Sequence, residues 1–107
     1  MQTDLNNIQF LFDKMKKDGF DINAELKWGF FFFNNNIEGL KKIYEELKDH
    51  SYTIEKLEEV NIGEWKLHVS KIEVLPADKL HRRNIAFNEL AEYCGVDLYD
   101  GWDVEKI

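Results

Sequence analysis

Ala24-Glu25-Leu26-Lys27-Trp28-Gly29-Phe30-Phe31-Phe32-Phe33 is the stretch on which the fold turns. Successive side chains of a strand point to opposite faces. Ala24, Leu26, Trp28, Phe30 and Phe32 therefore share one face, and Glu25, Lys27, Gly29, Phe31 and Phe33 share the other. The first face is apolar throughout; the second turns from charged to aromatic. That pattern predicts a central strand covered on one side along its length and on both sides at its end.

Elements of matching character flank it. Thr3 or Asp4 can cap a helix running to about Lys17, with Leu5, Ile8, Leu11, Phe12 and Met15 on one stripe and Phe10 pointing away. Asp18-Gly19 ends it, since glycine accepts the left-handed conformation there. Past the strand, Asn34-Asn35-Asn36 is a loop, and Asn35 with Glu38 resembles a capping box for a second helix running to about Asp49. Tyr52–Val60 and Glu64–Leu75 read as two strands joined at Asn61-Ile62-Gly63. In the latter, Ile72 and Val74 have the opposite parity to Trp65, Leu67 and Val69, so a bulge near Ser70-Lys71 or an early strand end is expected. Pro76 suits the start of a third helix that stops at Gly95, and Val96–Val104 is the last strand.

The order is α-β-α-β-β-α-β. Without its first helix this is βαββαβ, the split βαβ arrangement of an α+β, ferredoxin-like fold: a four-stranded antiparallel sheet with two helices on one face. The extra N-terminal helix is expected to cover part of the other face, over Phe31 and Phe33. Residues 1–107 make one domain on this reading, a size at which a single core suffices.

Charge narrows the partners. Twenty-one acidic against 14 basic residues give a net charge of −7. Nucleic acid and anionic membrane repel such a chain, whereas a protein with a basic surface attracts it. Cys94 is the only cysteine, which suits a reducing cytoplasm and leaves no disulfide or multi-cysteine metal site within the chain. The start, Met1 to Asn7, lacks the basic and apolar regions of a signal peptide, so a cytoplasmic location is expected.

The residue types that carry chemistry are scattered. His50, His68 and His81 have no metal-ligand spacing, and Asp18, Asp21 and Asn23 lack the spacing of a calcium loop, so no metal and no cofactor are expected. Cys94 lies on the apolar stripe of the third helix, at the end whose partial negative charge disfavours a thiolate. A general base, Asp100 or His68, would need an orienting partner and a pocket. Lys27–Phe33 resembles the aromatic signature of RNA-recognition motifs, but it sits on the first strand rather than the third, beside Glu25; core packing is the better account. His81-Arg82-Arg83, partly balanced by Asp78, reads as a solvated face.

Tyr99-Asp100-Gly101-Trp102-Asp103 is the most distinctive string. Glycine inside a strand marks a bulge, which would re-aim Tyr99 and Trp102. Two readings stand: a plug closing the sheet, or an aromatic recognition spot rimmed by carboxylates. At this string the chain resembles the regulator of ribonuclease activity B family, whose members are ribonuclease E inhibitors. Asp18-Gly19 with Asp21 looks like that family's acidic turn, Leu90-Ala91-Glu92 like part of its third core helix, and Tyr99-Asp100-Gly101-Trp102 like its most specific motif. Asp103 stands where the family usually has glycine.

The resemblance implies a non-catalytic protein that binds a ribonuclease and changes its cutting of transcripts. Candidate partner contacts are Asp18, Asp21, Asp97, Tyr99, Asp100, Trp102 and Asp103. An immunity protein that neutralises a secreted or contact-delivered toxin, such as a nuclease, fits the same small acidic chain and is the alternative.

Overall fold

Trp28, Phe30 and Phe32 are fully buried, and the molecule is built around them. The computed structural model describes residues 1–107. Its elements are α1 (Leu5–Lys17), β1 (Leu26–Asn34), α2 (Ile37–Leu47), β2 (Thr53–Asn61), β3 (Glu64–Glu73), α3 (Ala77–Tyr93) and β4 (Leu98–Glu105), with a short 3-10 turn at Lys48–His50. The four strands form one antiparallel sheet in the order β2-β3-β1-β4. The fold is α+β, with three helices and this single sheet.

All three helices lie on one face, which corrects the expected position of α1. Its Phe12 stacks on Trp28 with ring centroids 5.8 Å apart, and meets Trp102 of β4 at 6.5 Å. From α3, Phe87 packs edge-on against Phe30 and Tyr99 and tilted against Phe32. Leu40, Ile43 and Leu47 of α2 join the same core. The physical reason lies in side-chain supply: Trp28 and Trp102 leave an apolar gap alongside α3, and the stripe of α1 fills it, running beside α3 from His81 and Asn84 near Thr3 to Ala77 near Phe12. The face bearing Phe31 and Phe33 stays open.

Local chemistry explains the helix ends. The Asp4 carboxylate caps α1 by accepting from the Asn6 amide at 2.9 Å. At α2 the cap is Asn36, not Asn35: its side-chain oxygen accepts from the amides of Glu38 and Gly39. Pro76 precedes the first turn of α3, as expected.

Strand irregularities differ from expectation. The β1–β3 register runs unbroken from Leu26↔Glu73 to Asn34↔Trp65, so no bulge interrupts Ser70-Lys71. Ile72 simply points outward and is exposed. The register shifts fall in the two edge strands instead: in β2 at Glu55 and Val60, and in β4 at Asp100. A bulge on an edge strand twists away its unpaired backbone, which discourages pairing with another sheet.

A polar pair crosses the core. Asn84, fully buried on the apolar stripe of α3, accepts a 2.6 Å hydrogen bond from the Tyr99 hydroxyl and reaches the Thr3 hydroxyl at 3.4 Å. Periodicity could flag Asn84 only as an interruption of that stripe; its partner comes from β4. Cys94 is buried, and burial pushes its thiol pKa up, as the apolar stripe implied.

Candidate functional site

Strand geometry puts every second residue of the sheet on the open face: Lys27, Gly29, Phe31 and Phe33 of β1, Lys66, His68, Ser70 and Ile72 of β3, and Gly101, Asp103 and Glu105 of β4. The bulge residue of β2 joins them, because Glu55 accepts a 2.7 Å hydrogen bond from the Ser70 hydroxyl and pairs with Lys27 at 2.9 Å through the same oxygen. The Ser70 bond first, then Lys27, holds the Glu55 carboxyl below its usual range, while Glu55 keeps the Lys27 ammonium above its own.

Side chains from β3 and β4 converge over Gly29 of β1. A Cβ at this position would collide with the Asp103 carboxylate and stand 2.8 Å from Nε2 of His68, so only glycine leaves them this space. His68 in turn stacks on Phe31, its partner in register, with centroids 4.3 Å apart and planes 18° from parallel. Burial lowers the His68 pKa; Asp103 and Glu55 oppose that shift, and Lys66 and Lys27 reinforce it. Neutral His68 is therefore the folded-state form near neutral pH.

This has a measurable consequence. A histidine whose folded pKa lies below its unfolded value of about 6.5 contributes stability that is complete above that pH. The contribution declines as pH falls through the folded pKa. Thermal melts from pH 8 to pH 5 should show a fall in stability that is shallower in His68→Gln. An identical slope in both proteins would overturn this role.

The seven candidate contacts do not form one cluster. Asp18 and Asp21 are exposed beyond the end of α1, beside Lys106: Gly19 lies against the Lys106 ammonium. The Asp21 carboxylate is also occupied locally, accepting from the Asn23 amide at 3.0 Å. Asp97 stands at the opposite end of the last strand, about 30 Å away at a strand's rise per residue. Its backbone amide donates to the side chain of buried Asn34 at 3.0 Å, and its carboxylate is free in solvent.

The bulge expected at Gly101 is present, with Gly101 at φ +113° and Met1 packed over it. It divides the string. Tyr99 turns inward and is 1% exposed, so its ring serves the core and offers a partner nothing. Asp100 turns outward at the free edge, Trp102 is half-buried against Trp28 at 5.6 Å, and Asp103 lies on the open face. The plug and recognition readings thus divide within one string, the former taking Tyr99.

Two features had no sequence signal beyond residue type. His68 meets Asp103 only through the β3-β1-β4 order. Arg83, read as solvated, instead makes a two-pronged pair with Glu73 at 2.7 and 2.9 Å, over the rings of Phe30 and Tyr52. Arg82, its neighbour, does pair with Asp78 at the surface. As for a general base, His68 and Asp100 line none of the four recesses in the surface. No helix is long and apolar enough to cross a membrane.

The molecule belongs to the class of open-faced α+β proteins: three helices shield one side of a sheet whose other side and last strand present carboxylates to solvent. No curated protein matches the sequence. The family model for regulator of ribonuclease activity B matches residues 6–104, nearly the whole chain, and the protein belongs to that family.

Proposed function

We propose that this protein is a non-catalytic, acidic single-domain regulator that binds a ribonuclease of the ribonuclease E type and restrains its cutting of RNA. The observation that carries this reading is the family match over residues 6–104. Net charge supports it, because −7 favours encounter with a basic protein and opposes direct contact with RNA. The open face offers no basic track for phosphate: around Phe31 and Phe33 the cations Lys27 and Lys66 are matched by Glu55 and Glu58, and Asp103 and Glu105 stand beside them. The family match also favours a regulator over a toxin-neutralising immunity protein. A cytoplasmic site of action follows from the partner.

Sheet order supports a ferredoxin-like reading of β1 to β4, with α2 and α3 as the crossovers and α1 added beside them. Of the candidate contacts, Asp97, Asp100 and Asp103 fit the proposal best. They recur every third residue along the exposed edge strand, so a basic surface laid along β4 could reach all three. Trp102 adds a half-buried aromatic edge between them, and Asp18 and Asp21 serve a broader contact at the far end.

The test is an RNA cleavage assay with purified ribonuclease E, run beside a binding titration. Wild-type protein should bind and slow cleavage. Asp103→Lys and Asp100→Ala should melt like wild type, since exposed charges contribute little to stability. Asp103→Lys should weaken binding roughly tenfold at low salt and much less at high salt. Unchanged cleavage and no binding by the wild-type protein would defeat the proposal.

A further inference from the structure

The hairpin between β2 and β3 ends in a two-residue loop, Ile62-Gly63, closed by the pair Asn61↔Glu64. Gly63, at φ +75°, meets the demand of the turn. Ile62 does not. Turn residues are commonly polar, and here a branched apolar side chain is 103% exposed and packs against no part of the core. Val60, at the bulge just before it, is also exposed. Neither side chain is explained by folding.

The surroundings are acidic and fixed. Glu59 accepts from the Gly63 amide at 3.4 Å, and Glu64 accepts from the Asn61 side chain at 3.3 Å, so both carboxylates are held at the loop. Beside it lies a recess of about 200 Å³ lined by Phe33, Asn34, Asn35, Gly63, Glu64, Asp97 and Leu98. Its walls carry two carboxylates, two amides, apolar carbon and no basic group. The nearest cation along β3, Lys66, faces Glu58 at 3.8 Å.

We propose that this end of the sheet is a protein-docking surface on which Ile62 is the apolar anchor. Its partner is a protein surface with an apolar depression bordered by Lys or Arg, one of which enters the recess between Glu64 and Asp97. Charge complementarity selects this occupant. Anionic lipid would be repelled by the carboxylates that surround Ile62, and a second copy would bring the same negative charges against them. The idea deepens the ribonuclease reading and rests on it for the partner's identity, but not for the chemistry of the surface.

The experiment titrates the full chain, as wild type, Ile62→Ser and the Glu59→Lys/Glu64→Lys double variant, against purified ribonuclease E. Both variants should melt like wild type and bind at least tenfold more weakly. Wild-type affinity in both would overturn the docking surface while leaving the ribonuclease reading intact. If wild-type protein does not bind, that reading fails and a second measurement decides. A benzoylphenylalanine photo-crosslinker is placed at position 62 in cells, with one at exposed Phe10 as control. A protein adduct specific to position 62, through a peptide rich in Lys or Arg and lost in the Glu59→Lys/Glu64→Lys background, supports the surface with another partner. No adduct, a lipid adduct or a second copy overturns it.

Discussion

Trp102→Ala is expected to lower stability by about 3 kcal/mol, the low end for removing a large aromatic from a core because Trp102 is only half-buried. For a domain of this length that is a fall in melting temperature on the order of 12–24 °C. The indole sits 5.6 Å from Trp28 and 6.5 Å from Phe12, so its loss opens the junction where α1 meets the sheet. Total stability of about 5–15 kcal/mol leaves little margin for such a loss. The exposed neighbours Asp100 and Asp103 provide the contrast, since changing them should leave the melt nearly untouched. Thermal melts set beside ribonuclease titrations separate the roles. If Trp102→Ala melts like wild type but no longer binds, the indole is a recognition group and its packing role is wrong.

Arg83→Ala should cost about 2–4 kcal/mol, although Arg82→Ala one residue away should change stability by less than about 0.5 kcal/mol. The difference is environment. Arg82 meets Asp78 in solvent at 3.3 Å, where water screens the pair. Arg83 and Glu73 are largely shielded, with side chains 20% and 17% exposed. Burial is the largest single influence and works against the Arg83 charge, but the hydrogen bonds to Glu73 together with the nearby Glu73, Tyr52 and Tyr99 oxygens outweigh it, so its pKa is raised. Beside the pair, burial pushes the Tyr52 hydroxyl up to about 12 despite the nearby guanidinium. Removing Arg83 would strand the Glu73 carboxylate among aromatic rings, and breaking one partner of a shielded pair costs more than the pair contributes. Arg83→Lys should recover only part of the loss, because one ammonium cannot reproduce the two-pronged geometry. Urea unfolding of the three variants checks the ranking. Equal midpoints for Arg82→Ala and Arg83→Ala would refute it.

Repulsion among the 21 acidic residues gives both experiments a useful control in salt. Screening by about 1 M salt should weaken the surface effects of Asp103→Lys while leaving the packing loss of Trp102→Ala in place. A variant whose defect disappears with salt acts through its charge. One whose defect persists acts through the core.

The sequence by itself determined the elements and their inward faces. Alternation in Ala24–Phe33 placed Trp28, Phe30 and Phe32 inside. Helical spacing placed Ile8, Phe12 and Met15 inside, and Gly101 marked the bulge of β4. Each of these is a statement about one element, and periodicity carries it because side-chain direction is fixed by the local backbone. The tertiary structure alone decided what meets what. It put α1 on the helical face beside Trp102, turned Tyr99 toward Asn84, took Arg83 out of solvent to Glu73, and brought Asp103 and His68 together over Gly29. It also set Asp18 and Asp21 beside Lys106, at the far end of the last strand from Asp97, instead of gathering the candidate carboxylates. These facts depend on strand order, register and docking, which arise from contacts between residues as far apart as Thr3 and Asn84. No local spacing encodes a partner 81 residues away, so chemistry built from such pairs becomes visible only once the chain has folded.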